Sequence, residues 1–395
     1  MTVAVLDSRQ NLAPPLAHWR RRISAIVLWA GVLLLVVYPL LMVVTSAFAP
    51  AFPESDQLRL ADFMSDRFRA AAFNTLRLGI MVSLLSLVTG TAFALLAVQS
   101  RANRWIDLIM SLPFLTPPFL ASLAWSLAVG TKGYLGRLGL FGGEMEKIIF
   151  SFGGLSLLMA AHYAPIVYFA VRAQIEKVPT TLLWAAQIAG AKPAIIVRQI
   201  LLPIVLPALL GSGFLTFACA IEEYGTPLVI GNRIGFPVIS TEIGRIVRVY
   251  PINLTLASAL ASLLFALAGG VYFASYLLQR GAKASAKLSA HPMPNLLPRW
   301  TRIGLCCFVA SYFVFTIVIP YGSMLMTSLL KLVSAGPALT NLTLQHYLDG
   351  LTDESSSLRQ ALVASFGLAL MAALLGTLLG AASARRSFVL ASLAL

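Results

Sequence analysis

"LLWAAQIAGAKPAIIVRQILLP", residues 182–203, decides how the rest of the chain is read. It is too polar to cross a bilayer, which takes about 20 consecutive apolar residues. It is also too regular for a slack loop. Residues 180–189 are helix-compatible, and Thr180 or Thr181 is expected to cap the start. Gly190 suits the left-handed residue that ends a helix, and Pro193 suits the first turn of a second one. Pro203 and Pro207 are expected to open the next membrane span. The stretch therefore predicts a short helix, a glycine turn and a second helix lying against the membrane surface. Ala185, Ala186, Ala189, Ala191 and Ala194 keep that surface flat, so another protein can approach closely.

The surroundings are apolar. Of 395 residues, 58 % are hydrophobic and only 11 % charged, against about 25 % charged in soluble domains. This composition implies an all-α integral membrane protein, a polytopic helical bundle. Apolar runs of spanning length cover about 23–48, 73–98, 106–130, 150–171, 204–230, 252–279, 303–330 and 360–384. Pro113, Pro117 and Pro118 predict a kinked or broken third span. A further apolar run, "SFVLASLAL", starts at Ser387. No cleavable signal peptide is visible, because the first run follows Arg20, Arg21 and Arg22 and is long.

The net charge is +14. Nucleic acid as a partner would need a basic face on a soluble domain, and none is present. On a membrane protein the excess belongs in cytoplasmic loops beside anionic lipid. Arg20 to Arg22 place the N-terminal tail, residues 1–22, in the cytoplasm. The loop with Arg101 and Arg104 falls on the same side. So does the quoted stretch, flanked by Arg172, Lys177, Lys192 and Arg198. A basic linker over about 281–302, with Lys283, Lys287, Arg299 and Arg302 and no acid, joins them. The opposite loops carry Glu54, Asp56, Asp62 and Asp66, and later Asp349, Asp353 and Glu354. One loop breaks the rule: Arg233, Arg245 and Arg248 face only Glu242.

The chain also restarts. "NTLRLGIMVSLLSLVTGTAFALLA" from Asn74 aligns with "QALVASFGLALMAALLGTLLGAAS" from Gln360, placing Gly90-Thr91 on Gly376-Thr377. Pro39 likewise matches Pro320, and Thr45-Ser46 matches Thr327-Ser328 after a one-residue gap. The order of features repeats: basic start, proline-containing span, outer loop, Gly-Thr span. Two parallel halves follow, a first six-span unit over 23–280 and a second that begins at 303 and runs to 395. If the halves are alike, roughly 170 residues of the second are missing.

With spacing in hand, the quoted stretch resembles the cytoplasmic Glu-Ala-Ala loop of ABC-transporter permease subunits of bacterial importers. That pattern runs Glu-Ala-Ala, three residues, Gly, nine residues, Ile, one residue, Leu-Pro. Here Ala185-Ala186, Gly190, Ile200 and Leu202-Pro203 fit, with Ala191 beside the glycine, and the family's glutamate is Trp184. The resemblance implies a coupling loop over about 172–203 that seats in a groove of a separate ATP-binding subunit, two copies per transporter. It also implies a multi-pass protein of the bacterial inner membrane, served by a periplasmic substrate-binding protein. Two fused halves, and "EEYGTPLVIG" from Glu222, are most similar to fused ferric-iron permeases, a group that includes thiamine and 2-aminoethylphosphonate permeases. Ferric iron is the cargo this implies. Acids in a span usually face a pathway or a partner. Glu222, Glu223 and Tyr224 are thus candidates for a pathway or gate, or for an interfacial contact with the outer loop or Arg233. Tryptophan at position 184 cannot pair with a cation as glutamate does, though it can fill an apolar pocket or stack on arginine.

Competing classes have less support. A secondary transporter needs charged or polar coupling groups at mid-membrane, and these spans are almost free of charge. No ATP-binding motif occurs, and the glycine-rich "TKGYLGRLGLFGGE" lacks the Gly-Lys-Ser/Thr ending. Catalysis, a cofactor and a resident metal are not expected. Cys219, Cys306 and Cys307 lie in apolar runs without metal-type spacing and are expected to be buried thiols. The unfinished second half implies either a second chain that supplies the missing loop or a non-functional remnant.

Overall fold

The computed structural model describes residues 30–31, 33–48, 65–100, 103–130, 133–137, 142–250, 252–279, 294–352 and 357–393. Among these the chain is helical apart from loops and one isolated bridge, Leu330 to Leu342. Six helices are long and apolar enough to cross a membrane, or seven if one bent pair counts as a span. The expected first span lies partly outside the described residues. Its end is a π turn, Leu33–Val37, followed by α1, Tyr38–Ser46.

Residues 46–343 form one compact unit. Its axis is α2, Asp66–Gln99, capped by Ser65, whose side chain accepts from the Phe68 amide. Next come α3, Asn103–Leu115, and α4, Pro118–Val129. The segments Arg104–Pro113 and Pro118–Arg137 diverge by 89°, the expected break at the prolines. α5, Phe152–Ile175, starts at Ser151, whose hydroxyl accepts from the Gly154 amide. The surface helix α6, Thr180–Ile188, precedes α7, Pro193–Glu222, which contains a π turn at Val197–Leu201. α8, Ile239–Arg248, α9, Leu254–Gln279, and α10, Arg299–Ser328, complete the unit.

The packing rests on small residues. Without water, the hydrophobic effect does not draw helices together, so close backbone approach and interhelical hydrogen bonds must do it. Thr75, Gly79, Ser83, Ser86 and Gly90 recur every three or four residues along α2 and are all buried. Ser83 donates to the Gly213 carbonyl of α7 (2.8 Å), and Ser86 to the Ala160 carbonyl of α5 (3.1 Å). Gly90 meets α5 so closely that an added Cβ would lie 2.7 Å from the Ala164 carbonyl oxygen and from Val167 Cβ. α10 packs across the same bundle: Tyr312 donates to the Ala161 carbonyl (2.6 Å), and Trp125 donates to that of Phe315 (3.2 Å).

Two expectations about the quoted stretch are corrected. Thr180 is already helical and buried, and Pro179 in extended conformation stands where a capping threonine was expected. Pro203 and Pro207 do not open the span. They lie inside α7, which begins at Pro193. Proline removes an amide and clashes with the carbonyl four residues back. The π turn ahead of Pro203 relieves this, with the Leu202 amide bonding to the Val197 carbonyl instead. The same device precedes Pro39 and Pro320, whose π turns are Leu33–Val37 and Val314–Val318. The span also ends earlier than expected, at Glu222.

Two of the three exceptional arginines, Arg233 and Arg245, pair with acids. Glu242 is buried and accepts from Arg67 (3.0 Å) and Arg245 (2.8 Å). Arg233 pairs with Glu146 and lies 3.7 Å over the Phe150 ring. Cys306 and Cys307, expected to be buried, are exposed on α10.

Residues 1–45 and 344–395 form a second unit. Its described parts include α11, Gln345–Thr352, and α12, Ser357–Leu393. The run from Ser387, expected as a separate segment, continues α12 as far as Leu393. No glycine or proline follows Gly380 to interrupt it.

The contact at Gly90 sets a test. Gly90→Val should lower stability by about 1–3 kcal/mol through overpacking. Gly269→Val, where an added Cβ meets nothing within 4 Å, should leave the melting midpoint of the purified protein in detergent nearly unchanged. Equal midpoints for the two variants would mean that α2 and α5 do not depend on close approach at Gly90.

Candidate functional site

α6 is amphipathic in a compact way. Thr180 and Leu183 are buried and Ala186 and Gln187 half-buried, on the side facing the bundle. Leu183 is fully buried in a cluster with Val178, Ile196 and Leu201. The other side shows Leu182, Trp184, Ala185, Ile188 and Ala189 to the outside. Ile188 is 86 % exposed and Trp184 41 %.

Gly190 then reverses the chain with φ of 81°, the left-handed region that side chains rarely adopt. The Ala191 amide bonds back to the Ala186 carbonyl (3.0 Å) and the Gly190 amide to that of Gln187 (2.9 Å). This pairing closes the last carbonyls of a helix and is the reason the glycine is needed. Ala191 is half-buried against the cluster, and Pro193 starts α7 as expected. Of the remaining motif positions, Ile200 is half-buried, while Leu202 and Pro203 are exposed on α7. Trp184, Ala185 and Gly190 thus share an accessible surface. Ala186, Ala191 and Ile200 hold that surface to the bundle.

The second candidate group sits at the opposite end of the same helix. α7 ends at Glu222, which is exposed. Glu223 turns inward and is half-buried. One carboxylate oxygen accepts from the Thr226 amide (2.9 Å) and the other from the Tyr163 hydroxyl of α5 (3.3 Å). The Glu223 carbonyl accepts from Ser240 of α8 (2.7 Å). Tyr224 packs on Gly244, where an added Cβ would fall 2.5 Å from its ring, and the Arg248 guanidinium lies 5.6 Å from the ring centre. Gly225 comes equally close to Phe119 of α4. The chain then folds through a π turn, Pro227–Gly231, and a left-handed Gly235. Glu223 therefore ties three helices and a tight loop together. Arg233 is not its partner, being engaged by Glu146.

Further groups lie around these two. Arg172 joins Asp107 of α3 to Glu176 (2.8 Å) and Tyr168 (2.9 Å) just before α6. Gln99, the last residue of α2, accepts from two backbone amides of the linker. His162 stands edge-on to Tyr163 and lines a cavity of about 20 Å³ with Trp125 and Phe315, room for about one water. A larger groove of about 520 Å³ runs between α5, α7 and α9, bordered by Ser212, Tyr272 and Tyr276.

Known proteins share this architecture. The chain is 27 % identical over 246 residues to a protein of Haemophilus influenzae named as a ferric transport system permease, FbpB 1, covering 61 % of this chain and 39 % of the relative. It is 29 % identical over 179 residues to a Salmonella choleraesuis protein named for a 2-aminoethylphosphonate transport system, PhnU, covering 43 % of this chain and 61 % of the relative. The chain thus spans less than two thirds of the length of either. A crystal structure of a bacterial alginate ABC transporter, in complex with a periplasmic protein bound to alginate pentasaccharide, contains a chain of similar fold. Its TM-score is 0.55 at 16 % identity, over 69 % of this chain and 97 % of that one. The family model for the inner membrane component of binding-protein-dependent transport systems matches residues 66–282, from the start of α2 to just past the end of α9. The chain belongs to that family of inner membrane components.

Proposed function

We propose that this chain is the membrane-spanning permease subunit of an ATP-driven importer and docks its ATPase through α6. The N-terminus and the Gly190 end of the bundle lie in the cytoplasm, and the Glu222 end faces the periplasm and a substrate-binding protein. The observation that carries the reading is mechanical. Trp184, Ala185 and Ile188 form an exposed ledge backed by the buried Leu183. Across the Gly190 turn the chain enters one continuous helix, Pro193–Glu222. At 1.5 Å per residue that helix is about 45 Å long. A displacement at the ledge, driven by closure of two ATPase subunits, reaches the outer end without crossing a loose connection.

At that end Glu223 acts as a latch. Its bonds to Tyr163 and Thr226 hold one arrangement of α5, α7 and the loop beyond. Movement of α7 along its axis exchanges those bonds and opens or closes the pathway. ATP hydrolysis belongs to the partner subunits, and no catalytic step is assigned to this chain. The first six-span unit, residues 23–280, carries the coupling loop. Residues 303–395 begin a second sequence repeat of the same topology, whose first span, α10, packs within the compact unit of residues 46–343.

The cargo we propose is ferric iron, on the strength of the ferric relative and the "EEYGTP" segment from Glu222. The 2-aminoethylphosphonate relative, with a slightly higher identity over a shorter stretch, supports that solute as the second reading. Proteoliposomes holding the chain, its ATPase and its binding protein should accumulate radiolabelled Fe(III) only with ATP inside. Uptake of 2-aminoethylphosphonate instead would establish the second reading. Accumulation of neither, with or without ATP, would defeat both.

Two substitutions separate the parts. Ile188→Glu together with Trp184→Ala should weaken co-purification of the ATPase at least tenfold while leaving the melting midpoint alone. Leu183→Ala should instead cost about 2–5 kcal/mol of stability, as buried leucines do. Wild-type ATPase retention by the exposed double variant would remove α6 as the docking site. Glu223→Ala should retain ATPase binding and lose at least nine-tenths of ATP-dependent uptake. Unchanged uptake would show that the Tyr163 and Thr226 bonds are not part of the transport cycle.

A further inference from the structure

We infer that the linker residues Asn295, Leu296 and Leu297 form a clasp that fixes α6 to α2 and to the start of α10, so that the three move together. This deepens the docking reading and rests on it, because it assigns a route by which motion of α6 reaches the second half of the chain.

The geometry is specific. Leu296 is 2 % exposed and sits in the cluster of Val178, Leu183, Ile196 and Leu201, the same cluster that buries the back of α6. Its backbone is held as firmly as its side chain. The amides of Leu296 and Leu297 both donate to Gln99 Oε1, at 2.9 and 3.0 Å. One side-chain oxygen thus serves two consecutive amides at the end of α2. The Asn295 carbonyl accepts from Gln187 Nε2 of α6 (3.5 Å), and its side-chain oxygen accepts from Arg302 of α10 (2.9 Å). α10 begins at Arg299, directly after the clasp. Three elements therefore meet at three linker residues, each through a different kind of contact.

A connector that only joined two halves would need none of this. Loops tolerate variation and stay at the surface unless something holds them. Here the clasp inserts a fully buried leucine behind the surface proposed to receive force. Leu296 and Gln99 are positioning residues: they touch neither cargo nor nucleotide and act through α6.

Hydrogen exchange followed by mass spectrometry tests this on the full chain in lipid nanodiscs. Leu296→Ala should speed exchange of the 180–192 amides at least tenfold while the amides of α5 stay protected. Leu296→Met should restore the wild-type rate. Gln99→Ala, which leaves the apolar cluster whole, should speed exchange at 296–297 and at 180–192 alike. Unchanged 180–192 exchange in both Leu296→Ala and Gln99→Ala, with α5 still protected, would overturn the clasp.

A second step adds the ATPase partner and a non-hydrolysable ATP analogue. In the wild type, protection at 180–192 and at 294–305 should change together. In Leu296→Ala only the 180–192 change should persist, an uncoupling that a purely structural role would not produce. Joint changes that survive in Leu296→Ala would also overturn the clasp. A wild type whose 180–192 amides ignore the partner would count against docking at α6. The chain-alone rates would still decide for or against the clasp.

Discussion

A backbone amide inside hydrocarbon has no water to bond, so every turn of a spanning helix must satisfy itself. Proline violates that requirement wherever it occurs. At Pro39, Pro203 and Pro320 this chain answers with a widened turn just ahead, Leu33–Val37, Val197–Leu201 and Val314–Val318, whereas Pro165 and Pro207 sit within regular α-helix. The middle instance has the largest consequence. Had Pro203 ended a helix, the surface stretch and the span would be separate bodies joined by a hinge. Because the π turn absorbs the missing donor, α7 stays continuous from Pro193 to Glu222. The third proline-rich site shows the alternative outcome. Pro113, Pro117 and Pro118 crowd into six residues, too close for one π turn to serve, and the chain bends by 89°.

Continuity along one helix matters only if its neighbours hold still. The α2 stripe from Thr75 to Gly90 supplies that support. Gly90 lets the backbones of α2 and α5 touch, Gly79 makes room for the side chains of Phe217 and Ile221, and serines at 83 and 86 bond across to α7 and α5. Small residues lose little side-chain entropy on packing and leave no room for adjustment. α2 and α5 thus form a tightly packed pair, with α7 bonded to one flank of it. The bonds at the Glu222 end of α7, Tyr163 to Glu223 and Ser240 to the Glu223 carbonyl, are few and polar, the kind that can be exchanged for others at modest cost.

Much of this was legible in the chain itself because it depends on local pattern. Spanning runs, the broken third span, the Gly190 turn and the surface helix follow from hydropathy, proline spacing and the unique freedom of glycine. The Pro39 and Pro320 match acquires a structural counterpart, since both follow a π turn by two residues. What pattern could not supply depends on partners distant in sequence. Pro203 reads as a helix start unless the compensating turn is known. Glu242 looks like a lone acid among arginines until Arg67, 175 positions away, is placed beside it. Leu296 sits in a basic, proline-rich segment whose composition says linker, and nothing local marks it as core. The stripe on α2 was present in the sequence at helical spacing. It was not distinguishable by composition alone from any small-residue face turned to lipid.

Trp184 can now be weighed against its surroundings. The Glu-Ala-Ala pattern puts a charge on the ledge, and α6 carries no acid in its first turn or elsewhere. A charged contact gains from a desolvated partner cation but must first give up its hydration, so its net contribution is small unless geometry is good. The ledge here offers Leu182, Trp184 and Ile188 instead, large side chains already partly free of water-binding groups. Burying such surface contributes about 25 cal/mol per Å² whatever the orientation of the partner. An apolar ledge of this kind tolerates small rotations that a charge pair would not. On the proposed reading, the burden of orientation then passes from the ledge to what holds it from behind. Leu183 fixes α6 from behind, and the buried Leu296 joins it in the same cluster, held there by its own amide and that of Leu297 donating to Gln99.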